Sequence, residues 1–469
     1  MKTIKILFLA LLPFFFVACS EEKMDEINKE VNNTEVMPAT NMLPNVELRT
    51  AVETVGTDIA WYATVYIEHD AGTWAQSFDA DQRKGQESAS LFNNSWNNIY
   101  SVMLSCNDIL KKTDPTTGSE PDNFWARGIT QVLLAYNLAV TTDMWGDVPY
   151  TEALKGTANM KPKFDSQQSL YTAINALLDD AIVNLGKTTV KFPTYDYIYA
   201  GDQAKWIKAA NSLKARYALR LVNVDNAAAT KALAAIPLGF ASAADAMIFS
   251  KFEASATGEN PWYQFKVDRS HLSVSTTLYN YMNERSDPRI ANYFTKVGTA
   301  YAPAPSGTAQ QTQGGVYSIA AITATAATGR TAPVPLMTYH ELKFIEAEAK
   351  FRAGDATWQT ALQAAVTAAF TYSGATIGTY FADQVVPRLT AGNELNEILM
   401  QKYIATYEFE ANEAYNDYRR TGVPTMKNPN NATTGFVHRF PYALSEVSSN
   451  PGNVPVIDVY KDKVWWAKK

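Results

Sequence analysis

Apolar residues recur at three- and four-residue intervals through most of this chain, and that spacing confines it to a mainly α-helical fold. Val52, Val55, Ile59, Tyr62 and Tyr66 form one stripe, which ends near the breaker Ala71–Gly72. Tyr171, Ile174, Leu177, Leu178, Ala181 and Leu185 form another, opened by Ser166 and closed by Gly186. Trp206, Ala210, Leu213, Tyr217 and Leu221 mark a third over 203–222. The same reasoning predicts helices near 91–111, 122–144, 275–285, 338–353, 357–373 and 393–420. Their spacing, with helix pairs of about 35–40 residues, suggests a tetratricopeptide-like stack of antiparallel pairs. Little β structure is expected. Residues 70–90 read as a polar loop, 295–335 as a long irregular insert with room for a hairpin, and the last fifty residues as mostly loop.

The N-terminus carries an address. Lys2 and Lys5 precede an apolar run from Ile6 to Phe16 that is short for a membrane span. Val17 and Ala18 are small enough for cleavage before Cys19, whose thiol would accept a diacylglycerol. Acyl chains there would anchor the chain durably, at roughly 0.8 kcal/mol per buried methylene. Residues 1–18 thus read as a lipoprotein signal peptide, 19–45 as a lipidated flexible tether, and 46–469 as one helical domain. Glu21 and Glu22 resemble the surface-export signal of Bacteroidetes lipoproteins, which implies the outer leaflet of the outer membrane. The alternative is a tether that happens to be acidic.

A net charge of −6 over 469 residues argues against nucleic acid as a partner. Cys106 is the one cysteine besides Cys19, so a lipidated Cys19 leaves no intrachain disulfide. Signals for catalysis are poor. His69, His271, His340 and His438 are scattered, and His340–Glu341 lacks the second histidine of a zinc-protease helix. Gly186–Lys187–Thr188 lacks the upstream glycine of a phosphate loop, and no G-x-S-x-G string occurs. Asp79 and Asp81 stand without the glycine and glutamate of a calcium loop. No catalytic residue, metal ligand or cofactor is expected.

Two clusters of aromatics fall outside the periodic stripes. Trp74 and Phe78 lie among Gln76, Asp79, Asp81, Gln82 and Arg83, and Trp262 and Tyr263 lie near Arg269. A sugar ring has apolar C–H faces and a polar rim, so a flat aromatic beside Asp or Arg suits it. Trp74, Phe78, Asp81, Arg83, Trp262, Tyr263 and Arg269 are therefore the candidate ligand-binding residues. For Trp74 and Phe78, contact with a partner protein and plain packing remain open. Trp96 and Trp145 are expected in the core, and the arginine pairs Arg216/Arg220 and Arg419/Arg420 in structural roles.

Several strings, taken together and in order, resemble one family. They include Trp96–Asn97–Asn98–Ile99–Tyr100, Trp145–Gly146–Asp147–Val148–Pro149–Tyr150, Pro162–Lys163–Phe164–Asp165, and Gly201–Asp202 leading to Lys205–Trp206. Asn260–Pro261–Trp262–Tyr263, Asp287–Pro288–Arg289, Met337–Thr338–Tyr339, Tyr418–Arg419–Arg420–Thr421–Gly422 and Arg439–Phe440–Pro441–Tyr442 follow. The chain resembles the SusD/RagB group of nutrient-binding outer-membrane lipoproteins, in its SusD-like family 2 branch. Ala443 departs from the pattern, standing where a second proline is usual. The resemblance implies a tetratricopeptide-like helical scaffold with an irregular ligand-binding half, no catalysis, and a role as a lid over a SusC-like TonB-dependent outer-membrane transporter. It implies a glycan or other oligomeric nutrient as ligand, with no cofactor. A scaffold without its own ligand and a surface hydrolase are the alternatives.

Overall fold

Six described helices build the first half of the fold, and local side chains cap two of them. The computed structural model describes residues 37–312, 314–426 and 434–468, and from Ala39 onward they form one unit. Cys19, the signal peptide and most of the tether lie outside the described residues. Helix α1 (Ala39–Val55) begins inside the stretch read as tether. The single helix expected up to Ala71 is two, because Thr57 adopts an extended backbone between α1 and α2 (Asp58–Tyr66). The polar 70–90 segment holds strand β1 (Asp70–Gly72) and a short helix α3 (Ala75–Asp81). Next come α4 (Asn93–Lys112), α5 (Phe124–Trp145) and α6 (Gln167–Leu185). Asn123 caps α5 by accepting the Ala126 N–H, and Ser166 caps α6 by accepting the Ser169 N–H. α5 is buried over nearly its whole circumference, packed by α1, α4 and α6.

The second half alternates helix pairs with irregular chain. It comprises α7 (Gln203–Arg220), α8 (Ala228–Ala235), strand β2 (Met247–Phe249), α9 (Pro261–Asp268), strand β3 (Leu272–Val274), α10 (Thr276–Asn283) and the short helices α11 (Ile290–Tyr293) and α12 (Ala326–Gly329). Strand β4 (Val334–Met337), α13 (Tyr339–Ala353), α14 (Trp358–Ser373), α15 (Glu394–Ala405), α16 (Ala411–Thr421) and α17 (Leu444–Ser449) complete it. Both sheets are two-stranded and antiparallel: β1 with β3, and β2 with β4. Among the described residues the insert makes no hairpin of named strands; strand β4 at its end returns to β2, far upstream. The helix expected over 393–420 is broken between α15 and α16, where Glu408 has a left-handed backbone (φ 72°). None of the described helices is long and apolar enough to cross a membrane.

Aromatic rings and buried ion pairs join the halves. Trp145 is buried and donates its indole N–H to the Pro441 carbonyl at 2.9 Å, while Phe92 stacks on Phe440 at 3.8 Å between centroids. Deeper still, Arg216 Nε donates to Glu341 Oε1 at 2.9 Å. Arg220 pairs with Glu413 and, at 3.3 Å, with Asp143. Arg420 pairs with Glu348 and with Asp417, the latter at 2.8 Å, and Lys402 meets Asp417 at 2.7 Å. Arg419 donates to the Asp143 carbonyl at 2.7 Å, so both arginine pairs are structural, as expected.

Buried carboxyl groups also fasten the irregular 295–335 insert to the helices. Asp81 Oδ2 accepts the Gly307 N–H at 2.6 Å, and the neighbouring Gln82 side chain donates to the Gly307 carbonyl at 2.9 Å. Glu408 accepts from the Thr323 hydroxyl at 3.0 Å. Burial pushes the Asp81 carboxyl up to about 8 and that of Asp70 up to about 7.

Two predictions come from this packing. Glu348→Ala would leave Arg420 without its main buried partner, and urea denaturation should report a loss of about 3–5 kcal/mol; a change under about 1 kcal/mol would mean the network is dispensable. The second is a pH dependence. Asp70 and Asp81 titrate near 4 in an unfolded chain, so the folded state holds their protons more tightly. That stabilisation is complete below pH about 4 and is lost as pH rises through about 8. Asp81→Asn keeps an acceptor for Gly307 and removes the ionisation, so its fall in Tm between pH 5 and pH 9 should be smaller than that of the wild type. An identical fall in both proteins would refute the assignment.

Candidate ligand-binding site

Three stretches far apart in the chain surround a cleft of about 980 Å³: α1, the turn at 193–200, and the loop at 250–259 with the start of α9 that follows it. α1 supplies Leu48, Arg49, Val52 and Glu53, which share a helix face at three- and four-residue spacing. Arg49 Nη1 donates to the Ser101 hydroxyl at 2.9 Å, and Glu53 accepts from the Asn98 amide at 2.9 Å. Both side chains are thus held by α4, so the rim they form is fixed before a ligand arrives. Burial raises the Glu53 carboxyl above its usual range, and burial together with Glu53 pushes Asp58 up to about 6.

The 193–200 turn is built around one carboxylate. Asp196 accepts the backbone N–H groups of Ile198, Tyr199 and Gly201 at 2.8–3.0 Å, and the Trp206 indole N–H at 2.8 Å. Glu47, one residue before the cleft-lining part of α1, accepts the Tyr197 N–H at 2.6 Å. Burial, and then the neighbouring Asp196, raise the Glu47 carboxyl well above its usual range. The turn therefore presents Tyr197, half-buried, to the cleft from a rigid base. Lys251 and Glu253 reach it from the loop and Gln264 from α9, over an apolar floor that includes Val52, Ile198 and Phe252. An aromatic ring and apolar floor inside a ring of hydrogen-bonding groups can hold a polyhydroxylated or amide-bearing oligomer.

The residues singled out from sequence are scattered relative to this cleft. Trp262 and Tyr263 point away from it into the core, although Pro261 and Gln264 of the same helix line it. Asn260 caps α9 through the N–H groups of Trp262 and Tyr263, and the Trp262 indole donates to the Val55 carbonyl at 2.7 Å. With Phe409 edge-on at 5.8 Å, the Trp262 ring has no open face for a ligand. Asp81 and Arg83 are also buried. Asp81 clamps Gly307, and Arg83 donates to the Tyr66 carbonyl at 2.9 Å while lying over the Phe436 ring. Arg269 is exposed at the end of α9, two residues before His271.

Trp74 is exposed, and Phe78 is half-buried. The segment around Trp74 is rigid: the Thr73 N–H donates to the His271 carbonyl, and the Gln311 N–H donates to the Thr73 carbonyl, both at 2.8 Å. Gly72 is required beside it, because a Cβ there would lie 1.7 Å from the Ser77 carbonyl oxygen. Trp74 and Phe78 do not line the cleft. Sequence reasoning missed Arg49, Glu53, Tyr197, Lys251, Glu253 and Gln264. The spacing of Arg49 and Glu53, and the Tyr195–Asp196–Tyr197 run before the Asp202 cap, were the available signals. Neither says which segments meet.

Comparison with known proteins places this geometry in a family. A family model described as "Starch-binding associating with outer membrane", SusD-like, matches residues 32–443. No curated protein matches the chain. Among solved structures, a SusD/RagB family protein from Bacteroides thetaiotaomicron is similar at 33% identity with a TM-score of 0.82, covering 92% of this chain and 99% of that one. A chitin-binding SusD homolog from Flavobacterium johnsoniae shares the fold at 23% identity and a TM-score of 0.74, covering 91% and 97%. A SusD homolog from Bacteroides uniformis does so at 22% identity and a TM-score of 0.75, covering 91% and 99%. With a helical scaffold of this kind and a match over most of its length, the chain belongs to the SusD-like family.

Proposed function

We propose that this protein is a non-catalytic binding protein of the outer-membrane surface that captures an oligosaccharide in the cleft between α1 and α9. The cleft itself carries the reading: an apolar floor and the Tyr197 ring lie beside the pre-positioned Arg49 and Glu53, with Lys251, Glu253 and Gln264 completing the lining. The family's description as starch-binding, and the chitin-binding relative, support a glycan over other oligomers. Among the described residues no group of three or more His, Cys, Asp or Glu could hold a metal ion. Trp74, exposed on a rigid segment, is a second contact, either for the far end of the same glycan or for a partner. Arg269 and Phe78 lie on the segments that flank it. The lipid anchor on Cys19 and a partner SusC-like TonB-dependent transporter complete the proposal. Anchoring beside a transporter would raise the effective concentration of captured ligand at its mouth.

Calorimetry with a panel of neutral oligosaccharides, starch- and chitin-derived included, tests the site. Tyr197→Ala should weaken the best ligand by about tenfold or more, with Tm within a few degrees because the ring is half-exposed. Trp74→Ala weakens it too if that ring belongs to the same site. Unchanged affinity in Tyr197→Ala would sink the cleft reading, whatever Trp74→Ala does. Anchor and partner are tested in cells. Cys19→Ala should leave the outer-membrane fraction, whereas the wild-type protein extracted in mild detergent should bring a TonB-dependent barrel with it. A mutant that still fractionates like the wild type, or repeated recovery of a lone monomer, would count against them.

A further inference from the structure

The cleft's outer wall, residues 251–259, is largely exposed and is tied mainly to itself. The Glu253 N–H donates to the Gly258 carbonyl at 2.7 Å, the Ser255 N–H to Glu253 at 2.8 Å, and the Gly258 N–H to Ser255 at 3.2 Å. Phe252 roots one end in the core, and the Asn260 cap roots the other. Between these roots, the loop that carries Lys251, Glu253 and Thr257 into the cleft needs an outside support.

Arg330 supplies one from the far end of the insert. Its Nη1 donates to the Ala254 carbonyl at 3.2 Å, and its Nε lies 3.1 Å from Glu259 Oε2. Its backbone is fixed in turn. The Asn260 N–H donates to the Arg330 carbonyl, and the Asn260 side-chain amide donates to the Ala332 carbonyl, both at 2.8 Å. Gly329 lets this segment lie against Tyr263, since a Cβ there would come within 2.4 Å of the ring. Of the Asn260–Pro261–Trp262–Tyr263 string only Pro261 lines the cleft; Asn260 and Tyr263 seat α12 and the Arg330 backbone against the start of α9. Arg330 itself lies outside the cleft lining.

We propose that Arg330 is a positioning residue for the cleft, a latch that holds the 251–259 loop as its outer wall through Ala254 and Glu259. This rests on the cleft being the glycan site. A planar guanidinium makes both contacts at once, whereas the single ammonium of lysine can keep the Glu259 pair but not both. The ordering of the loop is then supplied before binding, which lowers the cost of capture and slows release.

Hydrogen exchange and ligand binding on the full folded chain test this, with Arg330→Ala, Arg330→Lys and Tyr197→Ala compared. In Arg330→Ala, amide exchange over 251–259 should rise several-fold while the helices are unchanged. Affinity for the best oligosaccharide of the panel should fall about tenfold, mainly through faster dissociation. Arg330→Lys should lie between Arg330→Ala and the wild type in both measurements. Three results would overturn the latch: unchanged exchange over 251–259 in Arg330→Ala, increased exchange with unaltered affinity, or a fall in Tm beyond about 5 °C with exchange raised throughout the chain. The last would mark a purely structural residue. Failure of the site itself is read separately, from undiminished binding in Tyr197→Ala.

Discussion

The arrangement of the helices depends on where three buried guanidinium groups find their carboxylates. Arg216, Arg220 and Arg420 are all nearly without solvent contact. Removing such charges from water costs several kcal/mol each unless a partner is in place. Arg216 reaches from α7 to Glu341 on α13, Arg220 from α7 to Asp143 on α5 and Glu413 on α16, and Arg420 from α16 to Glu348 on α13. A shift of any of these helices by one turn would strand a charge in the core. Apolar side chains of similar volume would stabilise the stack at least as well. What the ion pairs add is a single register, and with it fixed positions for everything suspended from the helices.

The irregular half of the molecule is suspended in the same way, by polar side chains of helices and turns that satisfy loop backbone. Asp196 gathers four donors to make the turn behind Tyr197, and Glu47 adds a fifth contact from α1. Asp81 and Gln82 hold both the N–H and the carbonyl of Gly307. Loops without regular secondary structure must find partners for their backbone groups somewhere. Here single acidic residues do most of it, and the result is a set of surfaces stiff enough to bind without first being ordered. The wall at 251–259 is the exception, held from outside by Arg330.

Trp74 and Trp262 show how far local sequence reaches. Both stand outside the helical stripes, and both have polar neighbours and nearby breakers. Trp74 ends on the surface, while Trp262 is fixed in the core by the Val55 carbonyl and Phe409. Nothing near residue 262 announces that residues 55 and 409 will close around it. The same holds for the cleft. Arg49 and Glu53 look like an ordinary exposed pair on an amphipathic helix until the chain at 197 and at 253 arrives opposite them. Asp81 and Arg83 mislead in the other direction, since charged residues in a polar segment are usually exposed and these two are spent on buried backbone.

What the sequence determined by itself was everything with short-range cause. The three- and four-residue spacing of apolar groups set the helices, and Asn123, Ser166 and Asp202 set where three of them begin. Strings spread along the whole length were enough to mark the family. The tertiary structure alone decided which aromatics face solvent, which carboxylates carry protons, and where three distant stretches leave a cleft. Those outcomes depend on contacts between residues a hundred or more positions apart, and burial, desolvation and shape exist only once such contacts have formed.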